Sequence, residues 1–352
     1  MPPQVPQTGG ETAHPDPVRR TVAWSARVGR RRLLLLAGTA GLLSACQPAP
    51  VLPLKVGMNP WVGYDPLVLA RDKGLLDRRQ VKVVELSSSS DTLRHFRNGV
   101  LDAAALTLDE TLRLADEGVD LRIVGVMSAS AGADVVMARP EIREPAQLHG
   151  REIAVEQTTV GALMLQRLLQ AGRLQPHEVR VRNMEASQHL AALRSGRVDA
   201  AVSYEPLAGA MRAEGYADLF SSRQMPGDIV DVLVMHAAVL RERPGQAEEM
   251  LRGWRRGLQA LQQEPALSAQ ALAAGVDLSP AEYLATLKGL SFFSASENLT
   301  LLSGQPRELG QRSEGLVLTL QLIGLLRETP DWGRMLDPGW ASRLGASMEP
   351  LP

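Results

Sequence analysis

Two stretches of this chain are copies of one another. Phe96-Arg97-Asn98-Gly99-Val100-Leu101-Asp102-Ala103-Ala104 is echoed 97 positions later by Leu193-Arg194-Ser195-Gly196-Arg197-Val198-Asp199-Ala200-Ala201. The Arg, Gly, Asp and both Ala recur with identical internal spacing. Each copy reads as a helix stopped by a Gly able to take the left-handed cap, then a short apolar run suited to a buried strand. A polar group follows at the strand's carboxyl end, Thr107 in one copy and Tyr204-Glu205 in the other. With small gaps Gly63 lies over Gly161, and Val81-Lys82-Val83 over Val179-Arg180-Val181. The repeat therefore covers a whole βαβαβ unit. Ligands of open α/β sheets bind at strand carboxyl ends, so two such units facing each other predict a cleft.

The strands expected in the first unit are 54–57, 81–86, 102–106 and 121–127, and those in the second 152–155, 179–181 and 198–202. Residues 229–235 read as a strand returning to the first unit, and the remainder is mostly helical. The fold class is α/β in two lobes, with residues 54–137 and 236–352 in lobe I and 138–235 in lobe II. Two segments cross between them and form a hinge.

Ahead of this lies a segment of another kind. Residues 1–29 are rich in Pro, Gly, Thr and Gln without apolar period. Arg30-Arg31-Arg32 then precedes an apolar run, 33–43, too short to span a bilayer as an ordinary helix. A basic region, a short apolar core and small residues make a secretory signal, here residues 1–45. Its end, Leu43-Ser44-Ala45-Cys46, resembles a lipoprotein signal, which implies cleavage before Cys46 and a lipid on its sulfur. The arginines loosely resemble a twin-arginine signal. A Pro/Ala tether, 46–53, follows, and the mature chain is expected outside the cytoplasm, periplasmic and membrane-anchored.

Further along, Trp61-Val62-Gly63-Tyr64-Asp65-Pro66-Leu67 with Ala70-Arg71-Asp72-Lys73-Gly74-Leu75 resembles the opening of nitrate/sulfonate/taurine-type solute-binding proteins of ABC importers. These include the thiamine-precursor (NMT1/THI5-like) binders. Ser130-Ala131-Gly132-Ala133-Asp134, Tyr204-Glu205-Pro206 and Pro226-Gly227-Asp228-Ile229-Val230-Asp231 fit the same resemblance. It implies the two-lobed periplasmic-binding-protein fold of the second type. It also implies an importer's receptor that captures a small sulfonate/nitrate/taurine-like solute by lobe closure, with a permease and its ATPase as partners; the carboxylates below add an amine-bearing solute to that range. A pyrimidine thiamine precursor, or a sensory receptor on the same fold, are the other readings.

Aromatic residues make up only 4% of the chain, so Trp61 and Tyr64 on one loop stand out. They either wall the cleft or tuck onto their own lobe. Ser88 and Ser89, in the run 87–90, and Thr158 with Thr159 offer hydroxyls and N–H groups at helix starts suited to an oxyanion, or else plain caps. Thr107 and Tyr204 complete the polar strand ends. The carboxylates point elsewhere. Asp134, Glu156, Glu205, Asp228 and Asp231 fall at strand ends or crossings, where they would repel an oxoanion and favour an ammonium or other N–H donor. Glu205 and Asp134 lead this set, and Asp231 serves either hinge or ligand. Asp102 and Asp199 begin strands and read as structural.

The single cysteine and six histidines show no metal-ligand spacing, and no nucleophile motif or phosphate loop is present. No metal, cofactor or catalytic role is expected. A net charge of -1 supplies no footprint for nucleic acid, and a monomer is expected.

Overall fold

The computed structural model describes residues 52–346 apart from Asp277, Gln305 and Pro306. The expected signal 1–45, the lipidation site Cys46 and most of the tether lie outside the described residues. The first unit runs β1 (Leu54–Met58), α1 (Asp65–Asp72), β2 (Val81–Glu85), α2 (Ser89–Arg97), β3 (Ala103–Thr107), α3 (Leu108–Asp116) and β4 (Leu121–Ser130). The second runs β5 (Asp134–Ala138), β6 (Glu152–Val155), α4 (Thr159–Gly172), β7 (Arg180–Asn183), α5 (His189–Arg194), β8 (Ala200–Tyr204), α6 (Leu207–Ala213) and β9 (Ala217–Ser221). β10 (Val230–His236) leads back, and a helical stretch follows with α7 (Ala237–Glu242) and α8 (Pro244–Gln263). A short strand, β11 (Leu290–Phe292), interrupts it.

These strands form two sheets, in the orders β11-β4-β10-β3-β1-β2 and β7-β6-β8-β5-β9. The sequence repeat reappears as register. Val56 and Gly57 of β1 pair in parallel with Ala103 and Ala104 of β3, while Ile153 and Ala154 of β6 pair with Ala200 and Ala201 of β8. Gly99 and Gly196 stop the preceding helices at φ 68° and 73°, a region a side chain resists. Asp102 then accepts the Lys55 N–H at 2.8 Å, and Asp199 the Glu152 N–H at 3.0 Å. Each aspartate pins the start of its strand to the neighbouring one, and each also faces an arginine, Arg243 or Arg151. This explains why the repeat keeps Asp at that position.

Sheet membership corrects the expected lobe boundaries. The sequence puts residues 134–137 in lobe I, but β5 pairs with β8 and β9 in the second sheet. It puts residues 230–235 in lobe II, but β10 pairs with β3 and β4 in the first. Both are antiparallel to their neighbours, and an extended apolar run does not disclose which sheet it will join. The crossings therefore precede these strands, and they lie side by side. Ser130 N–H donates to the Ile229 carbonyl at 3.0 Å, and Ser222 Oγ accepts the Gly132 N–H at 2.7 Å.

α8 buries Ala247, Met250, Leu251, Trp254, Leu258 and Leu261 at helical spacing, which ties the helical return onto the first sheet. Among the described residues no helix is long and apolar enough to cross a membrane.

Candidate functional site

The carboxyl ends of parallel strands from both sheets meet around a cavity of about 30 Å³. The loop after β1 brings Asn59, Trp61 and Tyr64. The end of β3 and start of α3 bring Thr107 and Glu110, and α2 brings Ser89. From the other side come Asp134 at the head of β5, Tyr204 at the end of β8 and Val160 of α4. Ile229 and Asp231 close it from the return crossing.

The aromatic wall is held by one carboxylate. Asp231, fully buried, accepts the Trp61 indole N–H at 2.9 Å, the Tyr64 hydroxyl at 3.1 Å and the Ser128 hydroxyl at 2.5 Å. Burial pushes its carboxyl up to about 6, and these donors hold the rise in check. Trp61 in turn meets Tyr204 edge-on across the cleft, with ring centroids 5.8 Å apart. Both tyrosine hydroxyls are pushed above their ordinary value by burial first, so they remain neutral donors.

Glu110 is also partly engaged. It accepts the Ser89 hydroxyl at 2.7 Å and the Thr107 N–H at 3.3 Å, and burial lifts it to about 7. Asp134 differs. Its N–H is anchored on Ser130 Oγ at 3.1 Å, but its Oδ2 is buried without a hydrogen-bond partner among the described residues. Desolvation raises it to about 7, held back by the Ser130 hydroxyl and lifted further by the charges of Asp231 and Glu110. A buried carboxylate oxygen without a donor is costly, and a guest bearing N–H groups relieves that cost. No Lys, Arg or His lines the cavity.

Of the residues expected from sequence, Trp61, Tyr64, Ser89, Thr107, Asp134, Tyr204 and Asp231 line the cavity. Four do not. Ser88 caps α2 by accepting the Asp91 N–H at 3.2 Å, and Thr158 caps α4 by accepting the Gly161 N–H at 3.1 Å. Thr159 is buried in the first turn of α4, away from the cavity lining. Glu205 faces Arg212 and accepts the Gly209 N–H at 3.1 Å, outside the cavity lining. Glu110 was missed, although Thr107 and Glu110 stand three apart in a capping-box spacing that marks a helix start.

Residues 47–275 match the sequence profile of the NMT1-like family, which is more than half of the chain. Proteins of Brucella abortus, Brucella suis and Brucella melitensis are 25% identical over 240 residues, 63% of this chain and 71% of theirs, and carry names that specify a binding protein and no ligand. Among solved structures, the alkanesulfonate-binding protein SsuA from Xanthomonas axonopodis pv. citri, bound to MOPS, superposes with a TM-score of 0.65 at 20% identity, covering 82% of this chain and 97% of that one. The periplasmic nitrate-binding protein NrtA from Synechocystis PCC 6803 gives 0.68 at 13% identity, covering 85% and 89%. The desulfurization enzyme DSZB gives 0.61 at 19% identity, covering 84% and 100%. One fold thus carries both binding proteins and an enzyme. With two sheets in the arrangement of the periplasmic binding proteins and a profile match through its repeat, the chain belongs to the NMT1-like family.

Proposed function

We propose that this protein is the extracytoplasmic solute-binding receptor of an ABC importer, and that its solute is a small organic cation or aminated ring rather than an oxoanion. Family and fold support the receptor. One observation carries the choice of solute: the cavity between the sheets presents Glu110, Asp134 and Asp231 with three aromatic side chains and no basic group. A cation there gains charge-assisted hydrogen bonds from carboxylates and attraction to ring faces. A sulfonate or nitrate would meet carboxylates in a site of low polarity. Among the described residues no three His, Cys, Asp or Glu side chains converge closely enough to hold a metal ion. The acidic lining therefore suits an organic cation.

Binding is a shift between two arrangements of the sheets about their paired crossings, and the ligand favours the closed one through contacts to both. The closed form is then what a permease and its ATPase accept. A lipid on Cys46 would hold the receptor at the membrane.

A thermal-shift and calorimetry panel tests the reading with aliphatic amines, aminopyrimidines, taurine, alkanesulfonates and nitrate. Amines or aminopyrimidines should raise the unfolding midpoint by several degrees, about 2.7 kcal/mol at a hundredfold excess over Kd. Binding of nitrate or plain sulfonates alone would overturn the choice of solute, and chemical turnover of a bound ligand would overturn the receptor.

A further inference from the structure

The serine run at the start of α2 is a place suited to an oxyanion, since N–H groups of the first turn and the helix dipole both favour negative charge there. The chain fills that place itself. Glu156 follows β6 in the second sheet, and its Oε1 accepts both the Ser90 N–H at 2.9 Å and the Ser90 hydroxyl at 2.7 Å. It is 6% exposed, and its Oε2 is buried without a hydrogen-bond partner among the described residues. The other hydroxyls are taken as well. Ser87 donates to Asp91 at 2.5 Å, Ser89 donates to Glu110, and Ser88 serves as the cap. Ser89 and Val160, beside the two ends of this bridge, both line the cavity.

We propose that Glu156 is a built-in oxyanion: it occupies the start of α2, bridges the two sheets, and sets the receptor's selectivity against oxoanionic solutes. This rests on reading the cleft as the ligand site. A free nitrate or sulfonate must displace a carboxylate that is already tethered there at high effective concentration. Displacement would also strand that carboxylate, buried and without donors. The same bridge joins the halves, so closure draws no anionic group from the ligand.

Removing the carboxylate should empty the place for a small guest. The probes are formate, nitrate and methanesulfonate, titrated by thermal shift and calorimetry at pH 7 against wild type, Glu156→Ala and Glu156→Gln. Glu156→Ala should gain saturable binding of at least one of them, about tenfold or more above wild type, the scale of a charge-assisted hydrogen bond. Glu156→Gln keeps an acceptor oxygen on Ser90 and should gain none. Glu156→Ser replaces the alanine variant if that one does not fold. The proposal is overturned if the emptied variant takes up these anions no better than wild type and Glu156→Gln, or if wild type already binds them. A gain in the variant while wild type binds no amine leaves this assignment standing and removes the cationic solute. The converse pattern leaves the solute standing and removes Glu156 as its gatekeeper.

Discussion

Among the acids that line the cavity, Asp134 has the most to gain from a guest. Asp231 has three donors and Glu110 two, whereas Asp134 Oδ2 has none among the described residues. Asp134→Asn should therefore weaken a cationic ligand by about 10- to 100-fold, the usual scale for a hydrogen bond to a charged group. Glu205→Gln breaks the contact with Arg212 and should lower stability while leaving affinity near wild type. Calorimetry with a melting curve on each variant separates the two effects. The same acids set the pH response. Burial raises Glu110 and Asp134 to about 7 and Asp231 to about 6, so the empty fold favours their protonated forms. The stability they contribute is full below the ordinary carboxylate value near 4 and is lost as pH rises through 6 to 7. The ligand-free melting point should therefore fall between pH 5 and pH 8, less steeply in Asp134→Asn. A cation prefers the ionised carboxylate, so its affinity should rise over the same interval. A flat affinity profile would mean that these carboxylates do not meet the ligand.

Elements were legible where a local rule sufficed. The strands of the repeat appear close to where the sequence puts them, because a Gly stop, an Asp and small apolar residues define each one. What was not legible is long-range. β5 and β10 were recognised as extended, yet their sheets depend on which neighbour offers an open edge, and that is a property of the folded molecule. β11, three residues long, has no pattern of its own and exists because β4 is ten residues long and leaves its outer edge free. The site follows the same division. Trp61 and Tyr64 stood out by scarcity, but nothing local told Glu205, spent on Arg212, from Asp134, whose oxygen is left open. Close helix contact is a further element-scale demand. A Cβ on Gly257 of α8 would sit 1.8 Å from the Pro66 carbonyl oxygen in α1, so the two helices touch backbone to side-chain position. Gly257→Ala should cost about 1–3 kcal/mol, as overpacking does. Because α8 lies away from the cavity lining, ligand affinity at a temperature where the variant is folded should not change. Denaturant melts with and without ligand check both halves of that statement.

For the whole molecule, the proposed receptor needs a cleft that can open and close. The crossings run side by side, joined through Ser130, Gly132 and Ser222, which concentrates any rotation in a few residues. Across the cleft the halves meet through the Glu156–Ser90 bridge, the edge contact of Trp61 with Tyr204 and a buried apolar cluster that includes Leu108 and Leu112 on one side and Leu163 and Met164 on the other. Under the proposed function a ligand that contacts both halves favours the closed arrangement by its differential contacts. The cavity of about 30 Å³ holds little beyond bridging water, so under the proposed function a bulkier solute needs the halves to separate. Small-angle scattering should show the radius of gyration falling when a binding amine is added, and no change with a sulfonate that does not bind. Glu156→Ala weakens the bridge and should leave the unliganded form more open than wild type. Its radius should contract further on adding amine, and part of the contraction should appear on adding formate alone. If the wild-type radius does not respond to a saturating ligand, closure does not accompany binding, and the proposed receptor must be recognised through a surface that is the same in both states.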